Sequence, residues 1–321
     1  MNQSLKKTLT LVLPLAIGVG LMWYQFKSLS AHELEQIKTS LLQANYSYIY
    51  ASLAIALYGY WARAYRWTYS LKHMGYSSRF SVQFLTVCVS YFVNLTLPRS
   101  GEITRAALLN KYEGVPFDKA FGTIIAERIV DLFLFFLFVL VGFIYQFDTL
   151  TNFLHQQNFS LTTFVLLIGG LVVMGIIGLL VWIYAEWDII HKLKTKLKGL
   201  IEGMFALVKM PNRTAYLLHS IALWISYFFM FYITIFALPE TAHIPFHIAL
   251  MGFIFGSLAV GFTNGGLGAY PVSIALIFSL YGISNPIGTA FGWLVWTSQT
   301  LFTLVLGLVS YFLLPLFNRN K

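Results

Sequence analysis

Apolar runs of about 20 residues recur from one end of the chain to the other, and that recurrence limits the possible folds more than any other feature. A helix needs roughly 20 residues to cross a hydrocarbon core of about 30 Å, and backbone inside that core must satisfy its own hydrogen bonds. The runs are Thr8 to Phe26, Tyr46 to Leu71, Ser81 to Leu97, Ala120 to Gln146, Leu161 to Tyr184, Thr214 to Leu238, Pro245 to Phe262 and Pro286 to Phe317. Together they predict an all-α fold, a polytopic transmembrane helix bundle of about eight hydrophobic segments. Hydrophobic residues fill 58% of 321 positions and charged residues 10%, a balance foreign to a soluble domain. Polar stretches between the runs stay below about 30 residues, too short for a separate core, so 1–321 reads as a single integral membrane domain.

Short basic loops stay in the cytoplasm, and this orients the spans. Lys6 and Lys7 place the N-terminus inside, Lys72, His73 and Arg79 the second loop, the run from His191 to Lys198 the loop after Tyr184, and Arg319 and Lys321 the C-terminus. Simple crossings cannot satisfy these markers. The chain from Ser81 to Lys119 must enter and return on the inner side, and that from Pro245 to Asn285 on the outer side. Each re-entrant hairpin carries helix-breaking residues: Pro98 and Gly101 in the first, Asn264, Gly265, Gly266 and Gly268 in the second. A shift of 168 positions overlays the two broken regions and matches Gly114 with Gly282, Ala107 with Ala275 and Leu140 with Leu308. The expected architecture is an inverted repeat, about 46–146 and about 214–317, separated by a basic cytoplasmic loop at about 185–213 with amphipathic spacing.

Ionisable residues at membrane depth are costly unless paired or hydrated, so the dense cluster Arg99, Glu102, Arg105, Glu127, Arg128 and Asp131 requires a role. Glu102 and Arg105 are three apart, as are Arg128 and Asp131, and Glu127 and Asp131 are four apart, so each set can share a helix face. In one reading Arg99, Arg105 and Arg128 offer guanidinium forks to a lipid phosphate, while Glu102, Glu127 and Asp131 orient them or bind a coupling proton. In the other, the six residues pair internally and clamp the hairpin to the following helix. Arg63 and Arg66 sit in an aromatic stretch near the expected cytoplasmic end of the second span, where they would anchor at the interface or contact a headgroup.

Several classes are disfavoured. No nucleic-acid partner is expected, because the net charge of +9 comes from residues flanking apolar spans. His243 and His247 lack a third ligand at metal spacing, so no metal is expected. No phosphate-binding glycine loop or cofactor motif is present, so no cofactor is expected. Cys88, in an apolar run, reads as a small buried apolar residue.

The segment from Asn94 to Arg105, with Gly114 and then Ala126 to Asp131, resembles the flippase-like membrane region of the lysylphosphatidylglycerol synthases, the multiple peptide resistance factor family. Arg63 to Trp67 is similar to that family's arginine-rich second helix, and Asn264 to Gly268 to its Pro-Gly-Gly-Leu-Gly break. The similarity covers nearly the whole chain. It departs at Ala269-Tyr270-Pro271, where the family has Glu, and at Trp296 to Gln299, where it has Arg.

The resemblance implies a bacterial inner-membrane protein that moves a polar or anionic lipid, or a lipid-linked envelope precursor, between leaflets. It implies a transporter without the family's aminoacyl-transferase domain. Two other readings remain: an integral membrane enzyme on a lipid-linked substrate with Glu102 or Asp131 as base, and a scaffold for a membrane synthase.

Overall fold

The computed structural model describes residues 16, 18–97, 100–146, 210–263 and 265–317, and the regular structure among them is all helical. The expected span Leu161 to Tyr184, the basic loop at about 185–213 apart from its last residues, Pro98, Arg99 and Asn264 lie outside them. Helix α1 covers 18–28, α2 Ala31–Gln43, α3 Tyr46–His73, α4 Phe80–Thr96, α5 Gly101–Glu113 and α6 Phe117–Tyr145. After the central gap come α7 Arg213–Thr234, α8 Phe246–Phe262, α9 Ala269–Ser279 and α10 Asn285–Leu313.

The boundaries repeat along the chain. Moving α5 and α6 forward by 168 positions places Gly101 on Ala269, Phe117 on Asn285 and Tyr145 on Leu313, the ends of their counterparts α9 and α10. The same shift overlays α3 on α7 and α4 on α8 to within two residues at their starts. Gly114 and Gly282, which close α5 and follow α9, both adopt left-handed backbone, with φ of 71° and 82°. Only glycine takes that conformation without a Cβ penalty, so Gly114 caps α5 and Gly282 turns the chain just after α9.

Among the described residues, four helices have the length of membrane crossings. At 1.5 Å per residue, α3 with 28 residues and α6 and α10 with 29 each run for about 42 Å. Extended by their terminal 3-10 turns, Arg213–Ala237 and Asn285–Phe317 have mean hydropathies of 1.8 and 2.1. Helices α4, α8 and α9 are shorter and apolar, as befits halves of hairpins.

The outer faces are apolar. On α6, Leu132, Phe133, Phe136, Leu140 and Ile144 are each more than half exposed, and on α10 Leu301, Val305, Tyr311 and Phe312 are too. A surface of this kind suits hydrocarbon as solvent, since water would penalise so large an apolar patch. Inside, α3 packs most extensively on α7, α4 on α10, and each hairpin on the long helix that follows it.

Helix α2 was not among the expected elements. Ser30 and Glu33 form a capping box before it: Glu33 N–H donates to Ser30 Oγ at 3.3 Å, and Ser30 N–H donates to Glu33 Oε2 at 2.8 Å. Ser40 Oγ donates to Glu240 Oε1 at 2.9 Å and ties α2 to the turn after α7.

Candidate functional site

The first half of the molecule has a charged core. Arg63 and Arg66 share one face of α3 and meet Glu127 and Asp131 on one face of α6, while Arg105 enters from α5. Arg63 Nη1 lies 2.9 Å from Asp131 Oδ2, and Arg66 Nη1 lies 2.8 Å from Asp131 Oδ1. Arg105 forks onto Glu127, with Nη1 to Oε2 at 2.8 Å and Nη2 to Oε1 at 3.2 Å. Its guanidinium also lies 3.8 Å over the Trp67 ring, whose indole N–H donates to Thr123 Oγ1 at 2.8 Å.

Burial corrects the expectation that Arg63 and Arg66 anchor at the interface. Arg63 is 3% exposed, Arg66 0% and Arg105 2%, so their heads sit inside the protein. At 3.6 residues per turn they fall on the inward stripe of α3 instead of snorkelling, and carboxylates from α6 compensate them. Of the six charges that could pair internally, Arg105 with Glu127 and Arg128 with Glu102 do so, and Asp131 is held by Arg63 and Arg66, which join the network from α3.

Arg128 and Glu102 are placed differently. Arg128 Nη2 meets Glu102 Oε1 at 2.6 Å, linking α6 to the first turn of α5, and Arg128 Nη1 lies 3.7 Å from Asp131 Oδ2. Arg128 keeps 41% of its side chain exposed and Glu102 22%. Both line a cavity of ≈ 670 Å³, which also receives Asn94, Thr263, Gly265, Tyr270, Trp296 and Gln299. Glu102 and Arg105, neighbours on α5, therefore serve separate places, one the cavity and the other the packed interior.

The two helix breaks meet at this cavity. Gly101 opens α5 where a Cβ would come within 2.1 Å of Ser90 O, and its N–H donates to Asn94 Oδ1 at 2.7 Å. The first break thus rests on close backbone approach between α4 and α5. The second uses left-handed backbone at Gly265, Gly266 and Gly268. Trp296 Nε1 donates to Gly265 O at 2.7 Å, satisfying a carbonyl that a continuous helix would have paired.

A polar relay joins the ion network to the cavity wall. Arg63 Nη2 donates to Tyr227 Oη at 3.2 Å, and Tyr227 Oη lies 3.0 Å from Tyr91 Oη, whose ring faces the cavity. Tyr91, Tyr227, Tyr270 and Thr263 were not among the expected site residues. Their types are common in membrane helices, and nothing local separates them from packing residues. The 168-residue shift does hold a signal, because it pairs Glu102 with Tyr270 and Arg128 with Trp296.

Helices with apolar exteriors, a charged interior and a cavity at two helix breaks define a polytopic helical membrane protein with a polar intramembrane site. Within that class, the chain belongs to the lysylphosphatidylglycerol synthase TM region family, whose profile matches residues 11–307. It is similar to a UPF0104 membrane protein of Methanocaldococcus jannaschii, with 26% identity over 173 residues, 52% of this chain and 48% of that protein. The matched stretch thus spans about half the length of the curated relative. No solved structure matches the chain.

Proposed function

We propose that this protein moves a phosphate-bearing lipid between the leaflets of a bacterial inner membrane, with its termini on the cytoplasmic side. The single observation that carries the reading is the cavity shared by the two helix breaks, with Arg128 exposed in its wall. A headgroup crossing hydrocarbon needs a polar surface that replaces water, and irregular backbone at membrane depth is sustained only beside such a surface. The repeated helix order fits transporters built from inverted repeats, whose sites lie at the repeat interface. Arg128 would take the phosphate in a forked contact, with Glu102 as the counter-ion that it exchanges for the ligand. Arg63, Arg66, Arg105, Glu127 and Asp131 would hold α3, α5 and α6 around it. The protein acts as a transporter and not as an enzyme in this reading, and membrane lipids are its partners.

The test is reconstitution in liposomes with headgroup-labelled lipids, following their passage between leaflets. Wild-type protein should accelerate passage, and Arg128→Ala should abolish most of it while the protein stays monodisperse in detergent. A wild-type protein that accelerates no lipid, or an Arg128→Ala variant with full activity, would defeat the proposal. A chemically altered lipid in the same assay would favour an enzyme.

A further inference from the structure

The two walls of the cavity are related by the internal repeat but differ in charge. Under the 168-residue shift, the Glu102–Arg128 ion pair corresponds to Tyr270 and Trp296, and both pairs line the same cavity. The rest of the charged core changes in the same way: Arg63 corresponds to Phe231, Glu127 to Val295, Asp131 to Gln299 and Arg66 to Thr234. Phe231 and Val295 belong to the buried apolar core of the second half. One wall therefore carries a guanidinium, and the opposite wall carries indole, phenol and amide.

The charges of the network that lies behind this wall, and reaches it through Glu102 and Arg128, do not cancel. In the network of α3, α5 and α6, the guanidiniums of Arg63, Arg66, Arg105 and Arg128 meet the carboxylates of Glu102, Glu127 and Asp131, leaving one positive charge among the described residues. An uncompensated charge at membrane depth is expensive, and a ligand of charge −1 would neutralise it. A second anionic group would face no cation on the wall of Tyr270 and Trp296. A headgroup ammonium would restore the imbalance that the phosphate had removed.

We infer that the cavity selects a lipid with one net negative charge, its phosphodiester at Arg128 and an uncharged, hydroxyl-bearing remainder against Trp296, Tyr270, Gln299 and Asn94. Aromatic faces pack on the C–H surface of a polyol, and the amide side chains exchange hydrogen bonds with its hydroxyls. This inference rests on the transport reading above and narrows its substrate.

The experiment compares labelled phosphatidylglycerol, phosphatidylethanolamine and cardiolipin in liposomes containing wild-type protein or Trp296→Arg. Phosphatidylglycerol should cross at least tenfold faster than the other two with wild-type protein. Trp296→Arg, which adds a cation to the neutral wall, should shift the preference at least fivefold toward cardiolipin. Equal rates for all three lipids, or a preference for phosphatidylethanolamine or cardiolipin, would overturn the charge selection and leave transport standing. Passage of none of them would instead overturn the transport reading. If Trp296→Arg does not fold, Trp296→Leu provides the second arm. It keeps the wall neutral, so it should slow phosphatidylglycerol while preserving the exclusion of cardiolipin, and admission of cardiolipin would count against the inference.

Discussion

Arg105 grips Glu127 through both terminal nitrogens, at 2.8 and 3.2 Å, with the carboxylate fully buried and the guanidinium 3.8 Å over the Trp67 ring. This pair joins the returning half of the first hairpin to the long helix after it. Breaking one member of a buried pair strands the other, at a cost of roughly 3–5 kcal/mol. Arg105→Ala and Glu127→Ala should each lower unfolding stability in mixed micelles by about that amount. The Arg105→Met/Glu127→Gln double variant should lose less than the sum of the two.

Gly114 and Gly282 should respond alike to substitution. Each has φ near +75° and open space where a Cβ would go, so the cost of alanine is conformational and not steric. Gly114→Ala and Gly282→Ala should each destabilise by roughly 1–2 kcal/mol, the left-handed penalty of an L-residue. Unequal costs in chemical unfolding would show that the two turns are not structural equivalents.

Gly101 should behave in the opposite way, because crowding decides there. A Cβ would meet the carbonyl oxygen of Ser90 and the Asn94 amide, and that backbone oxygen cannot swing aside. Gly101→Ala should cost about 1–3 kcal/mol through overpacking and part α4 from α5. Asn94→Leu should remove about 1 kcal/mol or more by leaving the Gly101 N–H without its acceptor. Thermal melts with a cysteine-accessibility probe placed in the hairpin would register both.

Tyr227 links Arg63 to Tyr91 and so positions the cavity wall without lining it. Tyr227→Phe should leave the fold intact, since only a hydroxyl is lost. Transport should fall by roughly two- to tenfold, the range that one hydrogen bond supports. An unchanged rate would show that the relay does not reach the ligand.

Outside the spans, the Ser30 N–H bond and then the Ser30 hydroxyl hold the Glu33 carboxyl below its usual range. A depressed carboxylate stabilises the folded form above its unfolded pKa, and the contribution disappears as pH falls through the lowered folded value. The first turn of α2 should therefore lose hydrogen-exchange protection on acidification below the normal carboxylate range. Ser30→Ala should return the Glu33 titration toward its ordinary value in carbon-detected NMR.

The apolar runs alone determined that the chain is a helical membrane protein, because only helices and closed barrels satisfy their hydrogen bonds in hydrocarbon, and unbroken runs of about 20 residues lack the alternation of barrel strands. Gly114 and Gly282 at equal spacing, and the breaks around Pro98 and Gly265, placed the hairpins for the same local reason: proline, glycine and left-handed backbone interrupt helices wherever they stand. The roles of the charges were not local. Glu102 and Arg105 lie one turn apart on the same short helix, and nothing in the chain says which of them faces a cavity. Only the packing of α5 against α6 and α3 turns Arg105 toward Glu127 and Glu102 toward the cavity. Likewise, Arg63 and Arg66 sit in an aromatic stretch like that of an interfacial anchor, and it is the facing carboxylates of α6, more than sixty positions away, that make their burial possible. Periodicity and break residues encode which backbone forms. The partner that compensates a buried charge comes from a distant part of the chain, and the tertiary structure alone decides it.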